Sequence, residues 1–514
     1  MKRVLLYIFI PLTCIIALYY VVQWQAKASL EDVLQRKLPP HITFWYQDLT
    51  VDLLSGSIHF SEPFLEISNK KTGRNGLSLR ATSISIEDIH YWTLLNTKKI
   101  RVGTFAIDRP DITYREYDSV AQKENDTIGL SRYVEVDDFN LVDGQLSVLN
   151  TSNDTVLKGE RLNAEIKGFL TKPELINQRI PFTQESFEVV MENIEAPSGA
   201  YENLGISKVH FYDQELALEG ISFKTKYTRQ ELSRTLERER DHFNLEIPEA
   251  TLSGLQFEFR NDSLFIGAKR GQLTGVDLTV YRDKGLPDDL REKKLYGKML
   301  KNLPYQVDIE EIDISDARVV YEEEVASHSE PGLLSFEEIN GTIKNISNLV
   351  DEKGDLEVSL HSQLMGQGEL QLDWSFSVRD ADQRFLASGS LGYLNTASLN
   401  KFLEPNLRVG VEGQIQQLYF TISGDQYISN GDVKMRYEDF RFKVLDKDRS
   451  KIKKVLTFIG NLFVSDGSKA DAQGYRYGDI EDVKRDTTKS FFNYLWISLQ
   501  DGVVSVLSGN GKKE

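Results

Sequence analysis

Apolar residues at every second position constrain this chain more than any other feature. Arg101-Val-Gly-Thr-Phe-Ala-Ile107, Leu255-Gln-Phe-Glu-Phe259, Val276-Asp-Leu-Thr-Val-Tyr281 and Leu370-Gln-Leu-Asp-Trp-Ser-Phe-Ser-Val378 are typical, and turn residues interrupt such runs every 8 to 12 positions. A two-residue period gives a strand one greasy face and one wet face, the pattern of half-buried antiparallel sheet.

The runs also repeat. Apolar residues recur at offsets 0, 2, 5, 7, 10, 12 and 14 in four segments that start at Ile100, Val134, Leu245 and Val307. The first reads Ile100, Val102, Phe105, Ile107, Pro110, Ile112, Tyr114, and the fourth Val307, Ile309, Ile312, Ile314, Ala317, Val319, Tyr321. Steps of two are strand alternation. Each step of three changes parity, so it predicts a bulge or a tight bend. A repeated unit of this kind predicts a stacked or rolled sheet built from similar pieces. The spacing leaves open which parity faces inward.

The N-terminus is of another kind. Lys2 and Arg3 precede Val4–Val22, 19 residues without a charge. As a helix that run is about 28 Å long, enough to cross a bilayer core. The leading cations place the N-terminus in the cytoplasm and the bulk of the chain across the membrane. Tyr19, Tyr20 and Trp24 stand where interfacial aromatics anchor a span. The competing reading is a cleaved signal peptide, for which Ala26-Lys27-Ala28 has the small-x-small form. The expected organisation is an anchor over 1–28, a β body over 29–446 and a helical C-terminal region over 447–514.

The net charge of −17 and the pI near 5.1 exclude a phosphate-binding footprint for nucleic acid, and a polybasic grip on anionic lipid heads. The only cysteine, Cys14, lies inside the apolar run. The body therefore has no disulfide, thiolate metal site or cysteine nucleophile. Six Asn-x-Ser/Thr sequons read as chance in a bacterial chain.

Helical patterns are few. Thr228-Arg-Gln-Glu231 predicts a capping box opening a helix to about Asp241. Pro287-Asp-Asp predicts another, ending before Pro304. Ile452–Phe463 and Phe491–Leu507 carry apolar stripes at helical spacing. The last either covers an open end of the sheet or lies on a membrane.

Catalytic chemistry is missing from the pattern. The closest two of the seven histidines are 18 positions apart, which is not metal-ligand spacing. There is no Gly-x-Ser-x-Gly elbow and no phosphate-cradling glycine loop. Glu322-Glu-Glu and Asp137-Asp138 are expected to be solvated strand ends. No enzyme activity and no cofactor are expected.

Several segments resemble the AsmA-like proteins of Gram-negative envelopes, relatives of TamB and YhdP, in their Bacteroidota form. They are Leu49-Thr-Val-Asp-Leu-Leu-Ser-Gly-Ser-Ile-His-Phe60, Lys98-Lys-Ile-Arg-Val102, Ile107-Asp-Arg-Pro-Asp-Ile112, Gly431-Asp-Val-Lys-Met-Arg-Tyr-Glu-Asp-Phe440 and Arg485-Asp-Thr-Thr-Lys-Ser-Phe-Phe-Asn-Tyr-Leu-Trp496. The resemblance implies a mainly β fold, a long curled antiparallel sheet forming an open groove, with an N-terminal transmembrane helix, short helical inserts and C-terminal amphipathic helices. It implies a periplasmic protein, single-pass in the inner membrane, that binds or transfers lipid between membranes in outer-membrane biogenesis. Expected partners are membrane lipids, phospholipid first, the inner membrane through residues 4–22, and envelope proteins at the C-terminal end. The candidates for an acyl-chain lining are Ile107, Ile112, Leu141, Leu146, Leu252, Phe257, Ile314 and Val319. A non-catalytic scaffold for envelope assembly machinery is the alternative.

Overall fold

The computed structural model describes residues 2–36, 38–68, 75–97, 99–116, 133–175, 178, 180–260, 263–325, 330–349, 354–445 and 469–509. It is mainly β, 59% strand and 16% helical. The expected helix over Ile452–Phe463 lies outside the described residues. Contacts divide the chain into two units, Met1–Ala200 with Leu204–Leu218, and Tyr201–Asn203 with Glu219–Glu514.

The first unit opens with α1 (Lys2–Arg36), a single helix of 35 residues. Among the described residues no helix is long and apolar enough to cross a membrane, and the side chains of residues 2–16 lie outside the described ones. Eight short strands follow, β1 (Ile42–Trp45), β2 (Asp48–Asp52), β3 (Ser57–Ser61), β4 (Phe64–Ser68), β5 (Asn75–Arg80), β6 (Ser83–Ile89), then past α2 (Tyr91–Asn96) β7 (Lys99–Asp108) and β8 (Asp111–Arg115). They form two antiparallel ribbons, β1–β4–β5–β8 and β2–β3–β6–β7. The long strand β9 (Tyr133–Leu149) joins both, taking β7 along its first half and β8 along its second, in parallel. The break between β7 and β8 has a local cause. Arg109 is left-handed (φ 46°), and Pro110 has no N–H to give to the ladder. β10 (Thr155–Thr171) and β11 (Ser186–Ser198) continue antiparallel. The division of the chain falls on β12 (Glu202–Tyr212) and β13 (Glu215–Thr225).

The second unit holds α3 (Arg229–Thr235), β14 (Asp241–Ser253), β15 (Gln256–Arg260), β16 (Ser263–Thr274), β17 (Asp277–Asp283), α4 (Tyr296–Lys301), β18 (Gln306–Glu324) and β19 (Gly332–Ser347). β17 pairs with the first half of β14 and β16 with the second, and both run parallel to β18. β20 (Leu356–Leu364), β21 (Gly368–Phe376), β22 (Phe385–Leu391), β23 (Leu394–Asn395), β24 (Val409–Gly424), β25 (Ile428–Val444) and β26 (Arg476–Lys484) extend it antiparallel. Two helices complete the unit, α5 (Asn400–Leu407) and α6 (Phe491–Ser508).

The sheet is therefore mixed, not wholly antiparallel as expected. The four parallel pairings arise because the chain leaves β8 and β17 and returns in the same direction. Two helices are also shorter than expected. Thr228 and Glu231 do form the capping box, but α3 ends at Thr235. Beyond it Glu239 and Arg240 are drawn into ion pairs with Lys284 and Glu202. Over Pro287–Leu295 there is no helix. The buried Asp289 carboxylate takes Arg291 and Lys293, and the Lys293 N–H goes to the Thr487 carbonyl.

A duplication underlies both units. The row Ile84–Ile107–Leu141–Ala164 crosses β6, β7, β9 and β10. The row Ala250–Leu273–Ile314–Gly341 crosses β14, β16, β18 and β19 with the same directions. Leu79–Ile112–Leu146–Gly159 is matched in the same way by Leu245–Leu278–Val319–Phe336. The bends match too. The residue at offset 9 of each segment is left-handed: Arg109, Asp143, Gly254 and Asp316. The pairings add Ile266–Val280, and Leu79–Ile89 for the first five offsets, with Gly275 and Asp88 left-handed at the same place.

Candidate functional site

The repeat positions share one face. In the rows above, residues at offsets 0, 5, 7 and 12 stand beside one another across neighbouring strands, and many of the residues between them are charged or polar, among them Arg101, Glu135, Asp138, Arg270, Glu311, Asp313, Asp277 and Arg318. Those charges pair on the opposite side: Arg101 with Asp137 at 3.1 Å, Arg270 with Asp313 at 2.6 Å, Arg318 with Asp277 at 3.3 Å. The parity left open by the spacing is thereby resolved, with the repeat positions on the apolar face and the intervening ones on the ion-paired face. The acidic clusters are not merely solvated. Asp137 is paired with Arg101, Glu322 lies 2.5 Å from Arg229, and Glu323 and Glu324 accept from the Tyr321 and Tyr281 hydroxyls. Burial and these carboxylates hold both phenols well above the ordinary tyrosine range.

The bends are wired identically in the two units. The Asp143 N–H donates to Asn163 Oδ1 (3.0 Å), whose Nδ2 donates to the carbonyl of left-handed Arg161 (2.9 Å). The Asp316 N–H donates to Asn340 Oδ1 (3.1 Å), whose Nδ2 donates to the carbonyl of left-handed Glu338 (2.8 Å). One asparagine thus satisfies two backbone groups that the bulge removes from the ladder.

The apolar face is sealed by a buried cluster in each unit, and elsewhere it mixes buried positions such as Val136, Leu141, Val307 and Ala317 with many that are half-buried. In the first unit Leu49, Val51, Phe60, Leu79, Ile84 and Ile107 form a buried cluster, and Ala26, Leu30 and Leu34 of α1 pack on it. Away from that cluster Leu146, Val148, Leu157, Leu162, Ile166, Val189 and Met191 stay half-buried. An aromatic row crosses this stretch, with Phe105 stacked on Phe139 (5.4 Å), Phe139 on Phe169 (6.0 Å) and Phe169 near Phe182 (4.9 Å). In the second unit the sealed part lies over β20–β26, where Tyr494 and Val506 of α6 are wholly buried. Gly478 makes that packing possible, since a Cβ there would stand 2.4 Å from the Gly502 carbonyl. Along β18 and β19, by contrast, Ile309, Ile312, Ile314, Val319, Phe336, Ile339 and Ile343 remain half-buried. α5 touches β18, β19 and β24.

The eight residues predicted as a lining fall into these surroundings unequally. Ile107 pairs with Leu141 and Ile112 with Leu146. Ile107 belongs to the sealed cluster, Leu141 is buried, and Ile112 and Leu146 are half-buried. Ile314 and Val319 are half-buried on β18 and Leu252 on β14, whereas Phe257 is exposed on β15 beside Phe259. Leu273, Leu278 and Val280 share the same rows and were overlooked. The signal was present, because Ile266, Ala268, Gly271, Leu273, Val276, Leu278 and Val280 keep the repeat offsets, with a glycine at one of them.

Among the described residues no group of three or more His, Cys, Asp and Glu could hold a metal ion. A recess of about 270 Å³ is polar, lined by Arg109, Asp111, Asp143, Glu160 and Arg161 among others, and lies along the row of bends. No protein-family model matches the chain, and no curated protein matches it in sequence.

Proposed function

We propose that the protein is held in the inner membrane by α1 and carries lipid acyl chains along the apolar face of its periplasmic sheet, in the service of envelope biogenesis. The observation that carries this reading is the half-buried apolar face on β9–β11, and again on β14 and β16–β19, between charged positions that are ion-paired on the other side. A sheet built only for stability would cover such a face, as α6 does over β24–β26. Each methylene moved from water onto apolar side chains gains about 0.8 kcal/mol, so acyl chains are suitable occupants. The charged opposite face would meet water, and headgroups would stay at the margin. No catalytic step is proposed, and direction would come from another component. Phospholipid is the expected cargo.

The test is native purification in a mild detergent, followed by mass spectrometry of extracted lipid. Stoichiometric phospholipid that is lost in Ile314→Asp with retained folding supports the reading. A lipid-free, folded chain favours the scaffold alternative.

A further inference from the structure

A second apolar surface lies apart from the repeat rows, at the place where α1 meets the sheet. Leu54 is 83% exposed, Trp92 81%, Leu95 80% and Trp24 69%. α2 carries Trp92, Leu94 and Leu95 yet has no buried residue. A six-residue helix that half-buries Leu94 and leaves Trp92 and Leu95 in water gains little from burial within this chain.

These residues are held together by bonds. The Tyr19 hydroxyl donates to Asp52 Oδ1 at 2.9 Å, and Gln23 Nε2 donates to the Val51 carbonyl at 2.5 Å. Asp52 Oδ1 also accepts the Leu54 N–H at 2.9 Å, which fixes the turn. The Ile89 N–H donates to the Gly56 carbonyl at 3.0 Å, placing the same turn against the residue that leads into α2. These bonds fall at Tyr19–Gln23, where the apolar run of α1 ends at Val22.

We propose that the Asp52–Gly56 turn and α2 form a collar that enters the interface of the bilayer receiving α1. Leu54, Trp92 and Leu95 sit among headgroups and upper acyl chains, beside Tyr20 and Trp24 of the helix. The inference rests on the reading of α1 as a retained anchor. The occupant is a lipid surface, because the collar is bonded to the helix at the level where its apolar run stops, and tryptophan and tyrosine favour that depth.

The test uses the full chain with Cys14→Ser and single cysteines at Leu54→Cys, Leu95→Cys and Tyr212→Cys. Each carries an environment-sensitive NBD probe, in vesicles of phosphatidylethanolamine and phosphatidylglycerol. Acyl-brominated lipid should quench the probes at 54 and 95 several-fold more than the one at 212. Equal quenching at all three sites, with the protein still floating with the vesicles, overturns the collar. So does shielding of 54 and 95 without lipid quenching in a cross-linked dimer, which would make a second copy the occupant. Failure to float overturns the anchor and the collar together. Phospholipid measured in the same samples reports separately on acyl-chain carriage.

Discussion

At the scale of single residues, the bends are the most informative positions. A left-handed backbone costs an ordinary side chain about 1–2 kcal/mol, and glycine escapes that cost. Arg109, Asp143 and Asp316 accept it, whereas Gly254 and Gly275 avoid it. Asp316→Gly relieves that strain but loses about 0.5–1 kcal/mol to the freer unfolded chain, so it should be near neutral, whereas Asp316→Val should destabilise by about 1–2 kcal/mol, as read by urea denaturation of the full chain in detergent. Asn340→Ala hands an N–H and a carbonyl at the exposed bulge over to water and should cost about 0.5–1.5 kcal/mol. Asn163→Ala should act likewise in the first unit. The positions of the bends were legible in the sequence, because a step of three between apolar residues has a physical meaning. The first step of three, as from Val102 to Phe105, carries no left-handed residue, so parity alone does not distinguish a bend from a gentler adjustment. The asparagine wiring was not legible, since in each unit one of its two bonds reaches a strand 20 or more residues away.

Among the elements, α6 is the one whose attachment can be titrated. Its N-terminal approach is fastened by Lys489, which lies 2.9 Å from Glu239 and 2.8 Å from Asp288, while Lys284 holds Glu239 from the other side at 2.5 Å. Burial alone would raise the Glu239 carboxyl, but the two ammonium groups hold it below its usual value. Hydrogen bonds and charge from Lys489 lower Asp288 as well. Burial alone would lower Lys489, and the two carboxylates lift it above the ordinary lysine range. The signs fix the window. Depressed carboxyls contribute stability that is present above about pH 4.3 and lost as pH falls through their folded values. A raised lysine contributes stability present below about pH 10.4 and lost as pH rises through its folded value. The opening free energy of α6 amides, read from hydrogen exchange after correction for the intrinsic rate at each pH, should thus be highest and flat between these limits and fall below about pH 4. Lys489→Met should remove about 1–3 kcal/mol from that protection, because Glu239 then keeps only Lys284. The stripe of α6 was readable at its 3.6-residue period, and of the two readings left open the structure shows the cover over β24–β26. The failed helix after Pro287 was not readable. Proline and acids announce a helix start, but only the fold reveals that Asp289 is buried and the backbone spoken for by Thr487.

For the whole molecule, the apolar face makes a prediction that separates its two kinds of wall. Ile107 lies in the sealed cluster, so Ile107→Asp should cost several kcal/mol and unfold its surroundings. Ile314 is half-buried, so Ile314→Asp should leave circular dichroism and the urea midpoint nearly unchanged while bound phospholipid falls. Equal loss of folding at both positions would mean that the face is closed core throughout. The mainly β architecture and its repeating unit were legible because alternation reports on faces. Strand direction was not, since alternation reads the same in a parallel and an antiparallel strand. One feature of the first unit has a mechanical meaning. α1 runs from Lys2 to Arg36 with no glycine or proline after Pro11, and its last turns are packed on the sheet through Ala26, Leu30 and Leu34. There is no swivel between the segment assigned to the bilayer and the body. The azimuth of the helix is then the azimuth of the first unit's apolar face, and the strands it packs on turn with its shaft. One residue inserted after Gln25 would advance that phase by about 100°, whereas seven would restore it to within about 20° at the cost of about 10 Å of height.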